Sequence, residues 1–152
     1  MGLKKFNYDQ DFQSINFRQH PELYQVGKGE QGVLLVQPYK DEILPYWKFK
    51  TPEVAHASAS AIYKLFLEYK VKGDFVGMDM ARKFLQMGFT RARRYANHPS
   101  GRKYKKGTKT VLPTHEDPVK AESARIFYRV YLEAREDADY QTLRRTHQQA
   151  YG

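Results

Sequence analysis

The segment between Asp74 and Asn97 constrains the fold more than any other part of the chain, because its apolar residues recur at helical spacing on two opposite faces. One face carries Phe75, Met78, Ala81, Leu85, Phe89, Ala92 and Ala96, and the other carries Val76, Met80, Phe84 and Met87. The narrow polar strip left between them holds Asp79, Arg82, Lys83, Gln86, Thr90, Arg93 and Arg94. A helix that is apolar nearly all round lies inside a domain. The pattern therefore predicts a central helix with one basic edge toward solvent.

Short polar residues that favour helix starts precede this helix and three others. The predicted caps are Thr51, Asp74, Asp117, and either Asp137 or Asp139. Gly73 is predicted to end the helix that Thr51 begins, since glycine favours the residue after a helix end. Gly88 leaves an alternative, in which the central helix breaks and Thr90 caps its second part.

The first part of the chain is predicted to be irregular, because four of the seven prolines lie in the first 52 residues. Within it, residues 33–36 form an apolar, β-prone run that is expected to pair with residues 23–26 as a small hairpin. A length of 152 residues fits one domain. The expected class is mainly α with a small β element (α+β), as a single domain of residues 1–152. It has about four helices around the central one, an irregular part at 1–50, and a helical part at 51–152 with a basic loop at 97–114.

Positive charge is concentrated in one segment. The net charge is +9, yet residues 80–115 contain no Asp or Glu. That segment holds ten basic residues, while the rest of the chain has 16 basic residues against 17 acidic ones. A charge distribution of this kind attracts polyanions and speeds encounter with them. The expected partner class is therefore anionic.

Within this segment, basic side chains alternate with tyrosines in a way that is typical of nucleic-acid binding. The predicted site consists of Arg82, Lys83, Arg91, Arg93, Arg94, Tyr95, Arg102, Lys103, Tyr104, Lys105 and Lys106. Arginine and lysine side chains would bind phosphates, and a tyrosine ring would stack on a base or sugar. The first hypothesis is a protein that binds DNA or RNA, and the sequence does not choose between the two.

Two other hypotheses stay open. Residues 27–32 read G-x-G-x-x-G, and the anion site they suggest would use Gly27, Lys28, Gly29 and Gly32. A small phosphorylated ligand would then lie where this loop meets the arginines, although a tight turn that needs positive φ is the commoner role of such glycines. The third hypothesis is an interaction protein that docks on an acidic partner, with Tyr95 and Tyr104 as its apolar anchors.

Several function classes lack support. The chain has no cysteine, which excludes disulfides, thiolate metal sites and cysteine nucleophiles. The histidines are isolated from one another, so no metal site is predicted. Asp79 on the basic strip is interpreted as an ion-pair partner of Arg82 and Lys83 rather than as a general base. We predict no catalytic residue and no cofactor, and enzymatic activity stays an open question.

No apolar run approaches the roughly 18 residues that a membrane span needs, and no signal peptide is recognised at the start. The expected location is the cytoplasm, and a membrane is not among the expected partners. Trp47 lies in an aromatic run at residues 45–50 and is interpreted as a core residue rather than as a ligand contact.

Five segments of the chain resemble a known family. They are residues 21–24, 29–36, 49–53 and 91–97, and residues 73–88, which read GDFVGMDMARKFLQMG. The chain resembles family 4385 of the domains of unknown function, whose members occur in bacteria, fungi and bacteriophages of cyanobacteria. The resemblance covers nearly the whole chain and implies a single-domain cytoplasmic protein. It implies no activity, so it assigns no functional residue.

Overall fold

The computed structural model describes residues 6–98, 107, 109–110 and 116–152, and the described residues form five helices. The helices are α1 (Tyr39–Ile43), α2 (Pro52–Val71), α3 (Phe75–Asn97), α4 (Pro118–Arg135) and α5 (Ala138–Tyr151). Two short 3-10 turns at Pro21–Leu23 and Leu44–Tyr46 flank α1. No strand occurs in these described ranges, so the described part of the chain is all-α and the α+β expectation is wrong.

The predicted hairpin of residues 23–26 and 33–36 does not form. Instead, residues 30–35 make successive turns, in which the amides of Val33 and Leu35 donate to the carbonyls of Glu30 (3.2 Å) and Gly32 (2.9 Å). Val26, Val33 and Val36 are buried in the same core as the helices. These valines are therefore buried by packing on helices. A β-prone composition predicts burial in this way as well as it predicts pairing with a strand, so it does not distinguish the two.

The prediction of a central helix is confirmed by α3. Every residue from Phe75 to Leu85 is buried, and α3 packs against α1, α2, α4 and α5. The helix runs through Gly88 without a break, because this glycine lets the ring of Phe127 on α4 come close. A Cβ at position 88 would lie 2.3 Å from that ring. Gly88 therefore serves helix packing, and the alternative of a broken helix is wrong.

The predicted helix caps are confirmed at all four positions, with Asp137 rather than Asp139 at the last. In each case a side-chain oxygen accepts a hydrogen bond from a first-turn amide, as at Thr51 (3.2 Å from the Val54 amide) and Asp74 (3.0 Å from the Gly77 amide). Gly73 ends the preceding helix with a φ of +66°. No described helix has the length and apolarity required to cross a bilayer.

Candidate functional site

Helix α3 sorts the predicted binding residues into two groups. Arg82 is only 4% exposed and Lys83 is 0% exposed, whereas Arg91, Arg94 and Tyr95 lie at the surface and Arg93 is half-buried. The expectation that Arg82 and Lys83 lie on a solvent-facing edge is therefore wrong. The other predicted residues lie outside the described part of the chain: Arg102, Lys103, Tyr104, Lys105 and Lys106.

Arg82 and Lys83 belong to a buried charge cluster centred on Asp79. Its carboxylate lies 2.7 Å from Nη2 of Arg82 and 3.8 Å from Nζ of Lys83. Two buried phenols also donate to it: Tyr140 to Oδ1 at 2.6 Å, and Tyr24 to Oδ2. The interpretation of Asp79 as an ion-pair partner is confirmed, because both of its oxygens are occupied by these donors.

Burial and pairing shift the pKa values of this cluster in a consistent way. Burial alone would raise the pKa of Asp79, but the charges of Arg82 and Lys83 and the two phenol donors outweigh it and hold the pKa at about 2. Burial lowers the pKa of Lys83 to about 7. Asp79 opposes that shift, while the charge of Arg82 adds to it. The Asp79 carboxylate therefore stays ionised at neutral pH, whereas the pKa of Lys83 lies close to neutral pH.

The glycine loop at residues 27–32 lies against this cluster. The carbonyl oxygen of Gly29 accepts from Nη1 of Arg82 at 2.6 Å, and that of Gln31 accepts from Nζ of Lys83 at 2.7 Å. Gly27, Gly29 and Gly32 have φ values of +72°, +62° and +80°. A residue with a Cβ would be strained in this backbone conformation, so the turns require glycine. Two carbonyls of the loop thus face the cations, and each nitrogen of Arg82 bonds within the protein.

Sequence reasoning missed the phenols of this cluster. Tyr140 and His147 are seven residues apart and are the two buried residues of α5, a spacing that marks one helical face and could have indicated Tyr140. Tyr24 follows the turn Pro21–Leu23 in a segment without periodicity, so no pattern of that kind indicates it.

The exposed cations of α3 lie on a separate surface. Arg94 and Tyr95 lie three and four positions after Arg91, so both are its neighbours on the same side of the helix. Within the described part of the chain no carboxylate pairs with Arg91 or Arg94, whereas Nη1 of Arg93 lies 3.4 Å from Glu116. We call Arg91, Arg94 and Tyr95 the arginine face. Here the predicted interleaving of basic and aromatic side chains is present at the surface.

An open groove adjoins the arginine face through Tyr95, whose ring lies 5.9 Å from the ring of Phe49. We call it the lysine groove. It has a volume of about 410 Å³ and is lined by Lys48, Phe49, Lys50, Val54, Tyr95 and Lys120. A second depression of about 280 Å³ shares Lys48 and Val54 with it and extends to Tyr46. Among the described residues, every charged residue that lines either depression is a lysine.

The groove was not predicted, although the alternation of aromatic and lysine residues at positions 46–50 is a local signal for it. The folded chain adds Lys120 from the start of α4, where its Nζ donates to the Lys50 carbonyl at 2.8 Å. Trp47 is not a lining residue of the groove and donates from Nε1 to the Phe84 carbonyl at 3.0 Å. Its half-buried position against the core agrees with its interpretation as a packing residue.

Residues 7–150 match the model of a family described as a domain of unknown function, DUF4385. The chain belongs to this family. The match confirms the resemblance drawn from residues 21–97, and the DUF4385 description assigns no activity. The comparisons with curated proteins and with solved structures found no match. The function of this DUF4385 member is therefore inferred from its own surface.

This DUF4385 member also has a larger cavity, of about 820 Å³, where α1, α2, α3 and α5 meet. Arg18, Glu42 and Asp74 of its charged lining are paired with one another. Arg18 donates to both Glu42 oxygens at 2.7 Å, and Tyr69 donates to the same carboxylate. The hydrogen bonds from Arg18 hold the pKa of Glu42 below its ordinary value. Cations and carboxylates both line this cavity, so its charge favours no ligand class as clearly as the lysine groove does.

Proposed function

We propose that the chain binds nucleic acid at a surface made of the arginine face and the lysine groove. The observation that carries the proposal is the position of Tyr95, which belongs to both and joins two exposed arginines to three lysines. Arg93, half-buried beside Glu116, lies at the edge of this surface. Arg102, Lys103, Tyr104, Lys105 and Lys106 follow in the chain and stay part of the proposed site as a sequence-based expectation.

Phosphate contacts account for the affinity. Arginine and lysine side chains that neutralise phosphates release condensed counterions, so the affinity falls steeply as salt rises. Four to six such contacts give a log–log slope of roughly −4 to −5. A nucleic-acid ligand would be met in the cytoplasm, the location that the composition favours.

The test is a fluorescence anisotropy titration of labelled DNA and RNA at low and at moderate salt. Reversal of charge in the double variant Arg91→Glu/Arg94→Glu should weaken binding at least about tenfold and make the salt slope shallower, because phosphate contacts are lost. The matched control is Arg125→Glu/Arg129→Glu, which changes the net charge by the same amount on exposed positions of α4. It should retain affinity within about threefold, since neither Arg125 nor Arg129 belongs to the arginine face or lines the lysine groove.

Equal weakening in both double variants would mean that only the net charge matters, and the assignment to this surface would fail. Absence of any salt-dependent binding would instead favour the alternatives. Of these, a small phosphorylated ligand at Gly27, Lys28, Gly29 and Gly32 is disfavoured by the bonding already made by Arg82. An acidic protein partner would use the arginine face itself.

A further inference from the structure

The rings of the lysine groove are arranged to receive a flat group from outside. Tyr95 and Phe49 have ring centroids 5.9 Å apart and planes tilted by 31°. A base stacked between two rings needs about 7 Å, twice the 3.5 Å contact distance, so none fits between them. Tyr95 is 37% exposed, which leaves its outer surface free to be covered. A ligand ring would therefore lie against the exposed side of this aromatic pair.

The rim of the groove specifies the charge of the ligand. Lys48, Lys50 and Lys120 surround an apolar floor that includes Val54, and no carboxylate of the described part of the chain lines the groove. Its volume of about 410 Å³ lies within the range of roughly 300–1,000 Å³ that is usual for small-ligand sites. An anion that carries a flat, largely apolar ring satisfies both the rim and the floor, and a nucleotide unit of a polymer is such a group.

Only an unpaired base can reach this floor. In a duplex the bases are stacked and paired inside the helix, so their flat faces are covered and only their edges and the phosphates can meet a protein surface. A single strand presents both groups, and base stacking on aromatic side chains is the usual source of its affinity. The arginine face can bind either form, whereas the lysine groove can distinguish them. The adjoining depression that extends to the exposed Tyr46 provides space for the strand to continue.

We propose that the lysine groove makes the chain prefer single-stranded over double-stranded nucleic acid, by receiving an unpaired base against Tyr95 and Phe49 while its lysines bind the adjacent phosphates. This inference rests on the proposed function, because the arginine face supplies the remaining phosphate contacts. It adds a preference for single-stranded over double-stranded nucleic acid, which the charge of the surface alone does not predict.

The experiment compares a labelled single strand of oligodeoxythymidine, the corresponding RNA, and a DNA duplex of the same length, at one moderate salt concentration. The full chain is titrated as wild type, Tyr95→Ala, Tyr95→Phe and Tyr128→Ala. Tyr128 is a matched control, since it is an exposed tyrosine on α4 outside the groove. Thermal unfolding of each variant confirms that the exposed substitutions leave the fold intact.

We expect tighter binding of a single strand than of the duplex. Tyr95→Ala should weaken single-strand binding by about tenfold, in line with the loss of one base stack, and should change duplex binding by less than about twofold. Tyr95→Phe should retain the wild-type affinity because it keeps the ring, and Tyr128→Ala should behave like the wild type. RNA and DNA single strands share the stacking chemistry, so a preference between them would identify the polymer without affecting the inference.

A second readout reports occupation of the groove itself. Trp47 is the only tryptophan of the chain, and its ring lies 5.1 Å from that of Phe49. A base that stacks beside Phe49 should change the Trp47 fluorescence, whereas polyphosphate, which has no base, should not. The change should disappear in Tyr95→Ala.

The two proposals fail in distinguishable ways. Equal affinity for single strand and duplex, with Tyr95→Ala weakening both alike or neither, would overturn the inference and leave the proposed function standing. A Trp47 response to polyphosphate equal to that of the single strand would also overturn it, because the groove would then be a general anion site. An unchanged affinity in Arg91→Glu/Arg94→Glu would instead remove the arginine face from the proposed function.

Discussion

The two halves of α3 both carry arginines but place them in different surroundings. From Phe75 to Leu85 every residue is buried, and Arg82 and Lys83 bond to Asp79 and to the glycine loop. From position 86 onward one side of the helix meets solvent, and Arg91 and Arg94 extend outward.

The difference comes from what the rest of the chain brings to each half. The first half receives the phenols of Tyr24 and Tyr140 and two backbone carbonyls from residues 27–32, all of which are hydrogen-bond partners for buried charges. Among the described residues, the arginines of the second half receive one carboxylate, that of Glu116 beside Arg93. A buried charge needs such partners, because an unpaired one costs several kcal/mol. Cations without them lie at the surface, where they can meet a ligand.

Removal of Asp79 is the strongest test of this contrast. Asp79→Ala would leave Arg82 and Lys83 buried without their carboxylate, and we expect the free energy of unfolding to fall by about 3–5 kcal/mol. Asp139→Ala is the control, since Asp139 is exposed and only 3.6 Å from Lys70, and it should cost less than about 1 kcal/mol. Urea unfolding measures both. A loss below about 1 kcal/mol for Asp79→Ala would mean that the cluster does not hold the first half together.

Gly88 lies where the two halves meet and offers the next largest effect. A Cβ there would lie 2.3 Å from the Phe127 ring, so Gly88→Ala should destabilise by roughly 1–3 kcal/mol through overpacking. The double variant Gly88→Ala/Phe127→Leu should cost less than the sum of its single variants, because the smaller side chain relieves the clash. Additive costs would show that close approach of α3 and α4 is not what requires a glycine.

Features that depend on local sequence were predictable, and features that depend on distant partners were not. Capping at Thr51, Asp74 and Asp117 is local, and the central position of α3 follows from its own periodicity, so both were predictable. The burial of Lys83 was not, since it depends on partners 52 and 59 positions away, at Gln31 and Tyr24. The lysine groove combines residues from positions 48–54, 95 and 120 for the same reason.

The pH dependence of stability tests the charge of the buried half. The pKa of Lys83 falls from 10.5 to about 7 on folding, so between these values the unfolded chain binds a proton that the folded chain does not. The free energy of unfolding should therefore rise with pH in this window, by about 1 kcal/mol from about pH 7 to about pH 8.

Lys83→Met should remove this rise, because it removes the titrating group while keeping an apolar side chain of similar length. Lys64→Met, at an exposed position of α2, should leave the rise unchanged. The measurement is urea unfolding across this pH range, taken as the difference between each variant and the wild type. A rise that persists in Lys83→Met would assign the dependence to another group.

The smallest expected effect comes from Arg93, which is chemically identical to Arg82 and lies eleven positions further along the same helix. Its pair with Glu116 is 3.4 Å long and partly exposed, so Arg93→Ala should lower the free energy of unfolding by no more than about 0.5 kcal/mol. Arg82→Ala would leave Asp79 buried without its closest cation, and should cost about 3–5 kcal/mol. Because the substitution is the same, any difference between the two measures the environment alone. Similar losses at both positions would show that α3 does not divide its arginines between structure and surface.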